Sequence, residues 1–568
     1  MSAQRITRGF AWNHLYKLVE YGGVNLYAIV VVRAFGPELG GNYAVYLSIS
    51  GMLAIVGAFA VDGTLLRYLP RILQGERSYG EATVEGVRPF LIEMLAFRLF
   101  VNLCLALILV VALGVLPNYS TGLAASLGGI RQLWPYFVIF LFGQACVAFS
   151  AYTLIGLLQI KWVFYASLLT RLSMLGAGAL LLITGHLTIE GAVAIHAFAA
   201  LANAALLLYW VNRHVERESS QGLRIEFANF RRRLVGFVSR PSRVRIFLLM
   251  PFMLYGITTW GSDVLSTVLG RQPDILMMRA LLGENAKDIG LYEAAARLAL
   301  MTEYAFLFGL GGTLVSVFSE FAHHDEQNSE HAAAERSDSP ASATSPPRRR
   351  RLHYPRLLKA RQDISGYQSV STAPLFAFML FFAPLVLEVV YGSRFAGALP
   401  MIVASLILQA LSVIAFGGGM QVTSLVVIGK ERVVFLNRLS WGLLNLVVNY
   451  FLILHYGGLG AMIGTQSADL GAVVTESILC YLWIGQSLQP SRTLAIVAIA
   501  TASALLTYYG AGFLSTAIPA VVRLLAAGAS MTLLTVGGYA LFRIPEARKA
   551  WWKIRSLAGI PEPASLSV

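Results

Sequence analysis

The sequence predicts an all-α polytopic membrane protein with about fourteen transmembrane helices. Three observations carry that prediction. Of 568 residues, 57% are hydrophobic and only 13% are charged, against about 25% charged in soluble proteins. The mean hydropathy is +0.65 over the whole length, more apolar surface than one buried core can hide. Apolar blocks of about 20 residues, the length that crosses a bilayer, recur along the chain.

The blocks run roughly 10–33, 42–62, 89–115, 133–156, 162–183, 189–211, 246–269, 293–318, 368–390, 398–428, 433–454, 459–484, 493–512 and 518–542. The first follows Arg5 and Arg8 but carries Lys17 and Glu20 and lacks a small-residue cleavage pattern. It therefore reads as a retained span, not a signal peptide. No alternating ten-residue pattern occurs, which excludes a β-barrel. Small-residue spacings such as Gly36–Gly40 read as helix packing. Cys104, Cys146 and Cys480 lie inside apolar segments with no partner spacing, so no disulfide framework or zinc site is expected.

Most of the 44 Lys and Arg residues fall in tails and loops that an N-terminus-inside topology places in the cytoplasm. That bias orients the chain with both termini cytoplasmic and favours an even number of spans, fourteen over twelve. It also accounts for the net charge of +14 without nucleic acid. Two cytoplasmic loops stand out. Residues 212–245 contain Arg231, Arg232 and Arg233 and form a basic linker between halves. Residues 322–365 include HHDEQNSEHAAAERSDSPASATSPPRRRR, too polar to bury a core, and are predicted disordered. A solvated stretch of mixed charge accounts for His323, His324 and His331 better than a metal site does.

The halves echo each other. Residues 33–43 (RAFGPELGGNY) match 279–292 (RALLGENAKDIGLY), and IEGAVAI at 189–195 matches GLGAMIG at 458–464. Aligning Arg33 with Arg279 sets Lys17 opposite Asp263. The resulting organisation is an N-terminal six-helix lobe (1–211), the linker (212–245), a C-terminal six-helix lobe (246–485) carrying the insert, two extra helices (486–545) and a cytoplasmic tail (546–568). Transporters built from such repeats bind substrate near the bilayer midplane at the repeat interface.

An ionisable side chain inside a span costs about 2.5–3.5 kcal/mol on insertion scales, so it faces protein or a wet cavity. Asn13, Lys17 and Glu20 share one face of the first span, where Lys17 and Glu20 could also pair. Glu93, Arg98, Arg171, Asp263, Glu293, Arg297, Glu303, Asp469, Glu476 and Arg523 lie in later spans. For Glu93, Arg171, Glu476 and Arg523, buried pairing or snorkelling is the favoured reading. Glu293, Arg297 and Tyr304 fall close to one helical face. A cation such as Lys17, Arg98 or Arg297 in a wet cavity suits a phosphate or an acidic sugar.

Several motifs are absent. Gly429-Lys430 is no P-loop, because Ser424 replaces the required glycine and Glu431 follows the lysine. The loops assigned outside are short, which argues against a membrane glycosyltransferase or polymerase. No cofactor and no metal is expected.

The stretch FGPELGGNYAVYLSISGMLAIVGAFAVDGTLLRYLPRI resembles the opening of Wzx-type polysaccharide flippases of the multidrug/oligosaccharidyl-lipid/polysaccharide (MOP) exporter superfamily. PDILMMRALLGENAKDIGLYEAAARLAL, YGSRFAGALPMIVASLILQALS and NLVVNYFLILHYGGLGAMIGTQSADL continue the resemblance in order, over about residues 8–485. It implies two six-helix lobes around a central cavity lined by the first, second, seventh and eighth spans, plus two C-terminal helices. It also implies alternating-access flipping of an undecaprenyl-diphosphate-linked oligosaccharide across the bacterial inner membrane for surface polysaccharide export. Matching positions include Gly36, Gly40, Tyr43, Arg67, Asp274, Gly290 and Tyr292, read as loop turns, packing glycines and an interfacial tyrosine anchor, with Arg67 able to meet a lipid phosphate.

Candidate substrate-binding residues are then Lys17, Arg98, Arg297, Arg67, Asn13 and Tyr304. Candidate ion-coupling acids, for a proton or sodium ion, are Asp263, Glu20 and Glu293. The expected partners are the lipid-linked oligosaccharide, membrane lipids and polysaccharide assembly proteins. The competing reading is a cation-coupled multidrug antiporter of the same superfamily, which would call for an acidic, aromatic-lined cavity.

Overall fold

The computed structural model describes residues 3–73, 86–115, 128–219, 227–239, 250–268, 270–283, 286–307, 354–485, 490–512 and 518–548, with short pieces between them. Among the described residues the structure is helical apart from a hairpin of two-residue strands, β1 (Ser78–Tyr79) and β2 (Ala82–Thr83). The helices are α1 (Ala3–Ala58), α2 (Val61–Leu73), α3 (Val87–Leu109), α4 (Trp134–Gly156), α5 (Ile160–Ile183), α6 (Ile189–Ser219), α7 (Phe227–Ser239) and α8 (Pro251–Val268). They continue as α9 (Arg271–Leu282), α10 (Ala286–Leu307), α11 (Pro355–Val390), α12 (Leu399–Ala410), α13 (Met420–Val427), α14 (Glu431–Trp483), α15 (Pro490–Gly512) and α16 (Ala520–Leu541).

Among the described residues, ten helices are long and apolar enough to cross a membrane. Two of them are double. At 1.5 Å per residue the 53 residues of α14 would extend about 80 Å, more than twice the hydrocarbon thickness. Gly457 breaks it, with φ 55°, and the halves fold back on each other: Arg438 bonds Glu476, Trp441 bonds Thr475 and Asn445 bonds Thr465. In α1 the break is at Gly36, with φ 77°, a backbone state that only glycine adopts without strain. Pro37 then opens the second helix, and the Tyr27 and Tyr43 rings meet across the hairpin at 6.5 Å. The Gly36–Gly40 pair thus builds a turn, with Gly40 packed on Val32. The echo at 279–292 carries the same device, since Gly283 has φ 65°. With α8 and α10, the described residues of the predicted apolar blocks lie on helix apart from short turns and the break at Gly417–Gly419, in keeping with an all-helical fold of about fourteen spans.

The flanks differ from expectation in three places. The basic linker contains the helix α7, fixed by Arg233, which donates to Glu93 at 2.7 Å. The predicted insert 322–365 is too long, because α11 starts at Pro355. Charges at 356–363 disguise this turn of helix, yet Leu357, Arg361 and Gln368 share a buried face. The third is a break in the predicted span 398–428. There α12 runs into a π-helical turn at Leu411–Ala415 and stops at Gly417–Gly419 before α13. The rest of the insert, 329–353, and the tail beyond 548 lie outside the described residues.

Contacts divide the chain into two units, Met1–Glu293 with Asn449–Ala461, and Ala294–Val448 with Met462–Val568. The first has a core of Leu65, Leu69, Leu91, Phe97, Phe149 and Leu154, into which the Phe247 ring packs, tilted, 4.8 Å from Phe97. The second has a core of Phe318, Leu357, Leu425, Cys480 and Ile484.

Candidate functional site

Three of the candidate residues, all in the first unit, are accessible. Lys17 on α1 is half-buried, with its Nζ 5.4 Å from both the Tyr16 and Tyr21 ring centres. Arg67 on α2 is exposed, its guanidinium 4.1 Å from the Tyr255 ring of α8. Asp263, two turns further along α8, is exposed as well. An aromatic face orients a cation for about 0.5–1 kcal/mol at such sites without neutralising it. Lys17 and Arg67 therefore remain able to accept an anion.

Four other candidates are paired or buried within the protein. Arg98 is only 1% exposed and salt-bridged to Asp62, whose side chain is 22% exposed. Asn102, one turn on, ties α3 to α1 by donating to the Gly57 carbonyl at 2.9 Å. Glu20 pairs with Arg171 of α5 at 2.6 Å, not with Lys17, because Gly23 lets the Arg171 side chain lie against α1. Glu293 is buried 3.9 Å from Arg271. Arg297 is buried in the second unit. The favoured pairing of Glu93 and Glu476 is also observed, with Arg233 and with Arg438. The side chains of Asn13 and Tyr304 lie outside the described residues.

The residues that carry the family resemblance gather elsewhere. Tyr292 donates to Asp274 Oδ2 at 2.6 Å, and Asn449 donates to Asp274 Oδ1 at 2.7 Å. All three are buried. The expected interfacial tyrosine anchor is therefore overturned: Tyr292 caps a buried carboxylate, and buried Tyr43 stacks on Tyr46 at 6.0 Å. Gly290 sits directly over the Pro37 carbonyl, where a Cβ would collide with backbone.

Three features escape a reading of the sequence. Asp62 is hidden at the end of an apolar block, and nothing in its spacing points to Arg98. Arg361 is hidden by its charged neighbours. An apolar groove of about 850 Å³ in the second unit is lined by Pro374, Phe378, Met531 and Tyr539, with Arg543 and Arg548 among its wall residues. Its lining comes from α11, α16 and the chain just after α16, elements far apart in sequence.

No protein-family model matches the sequence, and no curated protein matches it. Solved structures do. The lipid II flippase MurJ in an inward closed conformation superposes with a TM-score of 0.61 at 12% identity, covering 93% of this chain and 99% of that one. A MATE transporter in complex with MaL6 gives 0.52 at 15% identity, over 86% and 96%. A MOP superfamily transporter from Pyrococcus furiosus gives 0.51 at 15% identity, over 86% and 96%. The fold is therefore the one these solved structures share, and the chain spans nearly the whole length of each of them.

Proposed function

We propose that this protein is a transporter, not an enzyme, and that it flips an undecaprenyl-diphosphate-linked oligosaccharide across the bacterial inner membrane by alternating access, for surface polysaccharide export. The observation that carries this reading is the fold likeness to a lipid II flippase along 93% of the chain. The accessible cations add to it. Lys17 and Arg67 offer two aromatic-flanked positive charges suited to a diphosphate or an acidic sugar. The apolar groove beside α16 has the lining a polyprenyl chain needs, and Arg543 and Arg548 have the charge to receive its phosphates. Asp263, accessible on α8, is the acid we assign to exchange of a proton or sodium ion.

Cation-coupled multidrug antiport is the second reading, favoured by the MATE likeness and by Asp263 lying on the helix that also carries Tyr255 and Trp260. Deletion in the native host, followed by analysis of lipid-linked saccharides and surface glycan, separates the two. Intact lipid-linked units accumulating while surface glycan is lost supports flipping. Unchanged pools together with new sensitivity to toxic cations overturns it in favour of antiport.

A further inference from the structure

The break between α12 and α13 surrounds a charge that the transport reading does not use. Gly417 and Gly418 take φ 76° and 52°, ending the π-helical turn, and the Gly418 N–H returns to the Ser412 carbonyl at 3.0 Å. The freed Phe416 carbonyl is taken by the Gln421 side-chain amide and by the Ser477 hydroxyl. Gln421 in turn accepts a hydrogen bond from Arg361 Nη2.

Arg361 is 2% exposed, and Gln421, which it bonds, also accepts from the Cys480 thiol through its carbonyl; Leu357, one turn back on the same helix, and Cys480 belong to the second unit's apolar core. Its Nε and Nη1 are buried with no hydrogen-bond partner, and no carboxylate pairs with it among the described residues. A neutral amide satisfies one N–H but cannot balance a full charge, and an uncompensated buried ion costs several kcal/mol. Gln368, two turns along the same face of α11, adds another donor. It is buried, its amide nitrogen is also unpartnered, and it lies beside Gly418.

We propose that these donors form a binding site for a small monovalent inorganic anion, chloride in cellular fluid, held by the free N–H groups of Arg361 and the amide of Gln368 at the α12–α13 break. One guanidinium balances one negative charge. The apolar surround and near-complete burial disfavour a bulky or doubly charged headgroup, which would lose more hydration than the site returns. Bound there, the anion stabilises the broken helix. The inference rests on the second unit alone and stands or falls independently of the transported substrate.

The test is equilibrium binding of radiolabelled chloride to the purified full chain in lipid nanodiscs, with bromide, gluconate and sulfate as competitors at constant ionic strength. Saturable binding of one chloride per chain is expected, displaced by bromide and not by gluconate or sulfate. Arg361→Gln should abolish it. Gln368→Met, which keeps the charge and the fold, should weaken it about tenfold. Absence of saturable binding in the wild type, binding unchanged in Gln368→Met, or sulfate outcompeting bromide would each overturn the proposal.

Discussion

Tyr292 and Asn449 donate to opposite oxygens of the buried Asp274 carboxylate, at 2.6 and 2.7 Å. Asn449 lies far from both in the chain, so this carboxylate fastens the Asn449 segment of α14 to α9 and α10. A hydrogen bond to a charged group contributes about 1.5–3 kcal/mol. Tyr292→Phe is expected to lower stability by about that amount, and Asn449→Leu similarly. Both variants combined should not add, because each leaves the same carboxylate unsatisfied. Unfolding of detergent-purified protein at a fixed heating rate measures the set, and strict additivity would argue against a shared acceptor.

The buried Arg98–Asp62 pair predicts an asymmetric response. Asp62→Asn leaves a guanidinium buried without a counter-charge, which costs about 3–5 kcal/mol. Combining it with Arg98→Met removes the orphaned charge and should recover most of that loss. The folded yield of the single and double variants, read by size-exclusion chromatography, checks the prediction. A double variant as poor as Asp62→Asn would mean that the pair does more than balance charge.

Lys17 and Arg67 should behave oppositely, because among the described residues they lie against aromatic rings and neither forms a salt bridge. Lys17→Ala and Arg67→Ala are each expected to leave stability within about 1 kcal/mol and to lower glycan export about tenfold or more, the value of one charge-assisted contact. Surface polysaccharide normalised to protein level in the membrane is the measurement. Full export by the double variant would remove these cations from the transport path.

How much of this is legible in the sequence depends on the range of the interaction involved. The spans follow from runs of apolar residues, a local property, and the break at Gly36 is announced by the Gly-Pro pair there. The break at Gly417–Gly419 is not announced, because hydropathy stays high across it and glycine is common in membrane helices. Charged residues are visible in the sequence, but their partners are not. Arg98 finds Asp62 and Arg171 finds Glu20 only through helix packing, which spacing does not encode. Lys17 and Glu20 share a helical face, and the prospect of their pairing fails because a third residue, Arg171, reaches Glu20.

Gly290 and Pro37 give a steric prediction. A Cβ at Gly290 would press on the Pro37 backbone, which cannot rotate away as a flexible side chain would. Gly290→Ala should destabilise by about 1–3 kcal/mol, as overpacking does, and Gly290→Leu by more. Gly283→Ala fails for another reason, its positive φ, and should cost about 1 kcal/mol. Thermal unfolding should rank Gly290→Leu as the most damaging of the three, then Gly290→Ala, then Gly283→Ala. A tolerated leucine would mean that Gly290 and the Pro37 backbone are not in contact.

Asp325 yields the last prediction. Its Oδ2 accepts from the backbone N–H groups of Arg356 and Leu357 at 3.0 and 3.1 Å, so it caps the first turn of α11 from the far side of the insert. Helix N-terminal N–H groups lack partners within their own helix, and such a cap contributes about 0.5–2 kcal/mol. Asp325→Ala should lose that much, and Asp325→Asn less, since its amide oxygen still accepts. Because the cap brings the two ends of the insert together, replacing residues 330–350 with a short Gly/Ser linker should leave both stability and export unchanged. Unfolding temperatures of the three variants and surface glycan from the linker variant decide it. A linker variant that folds normally but fails to export would give the insert a role in transport itself.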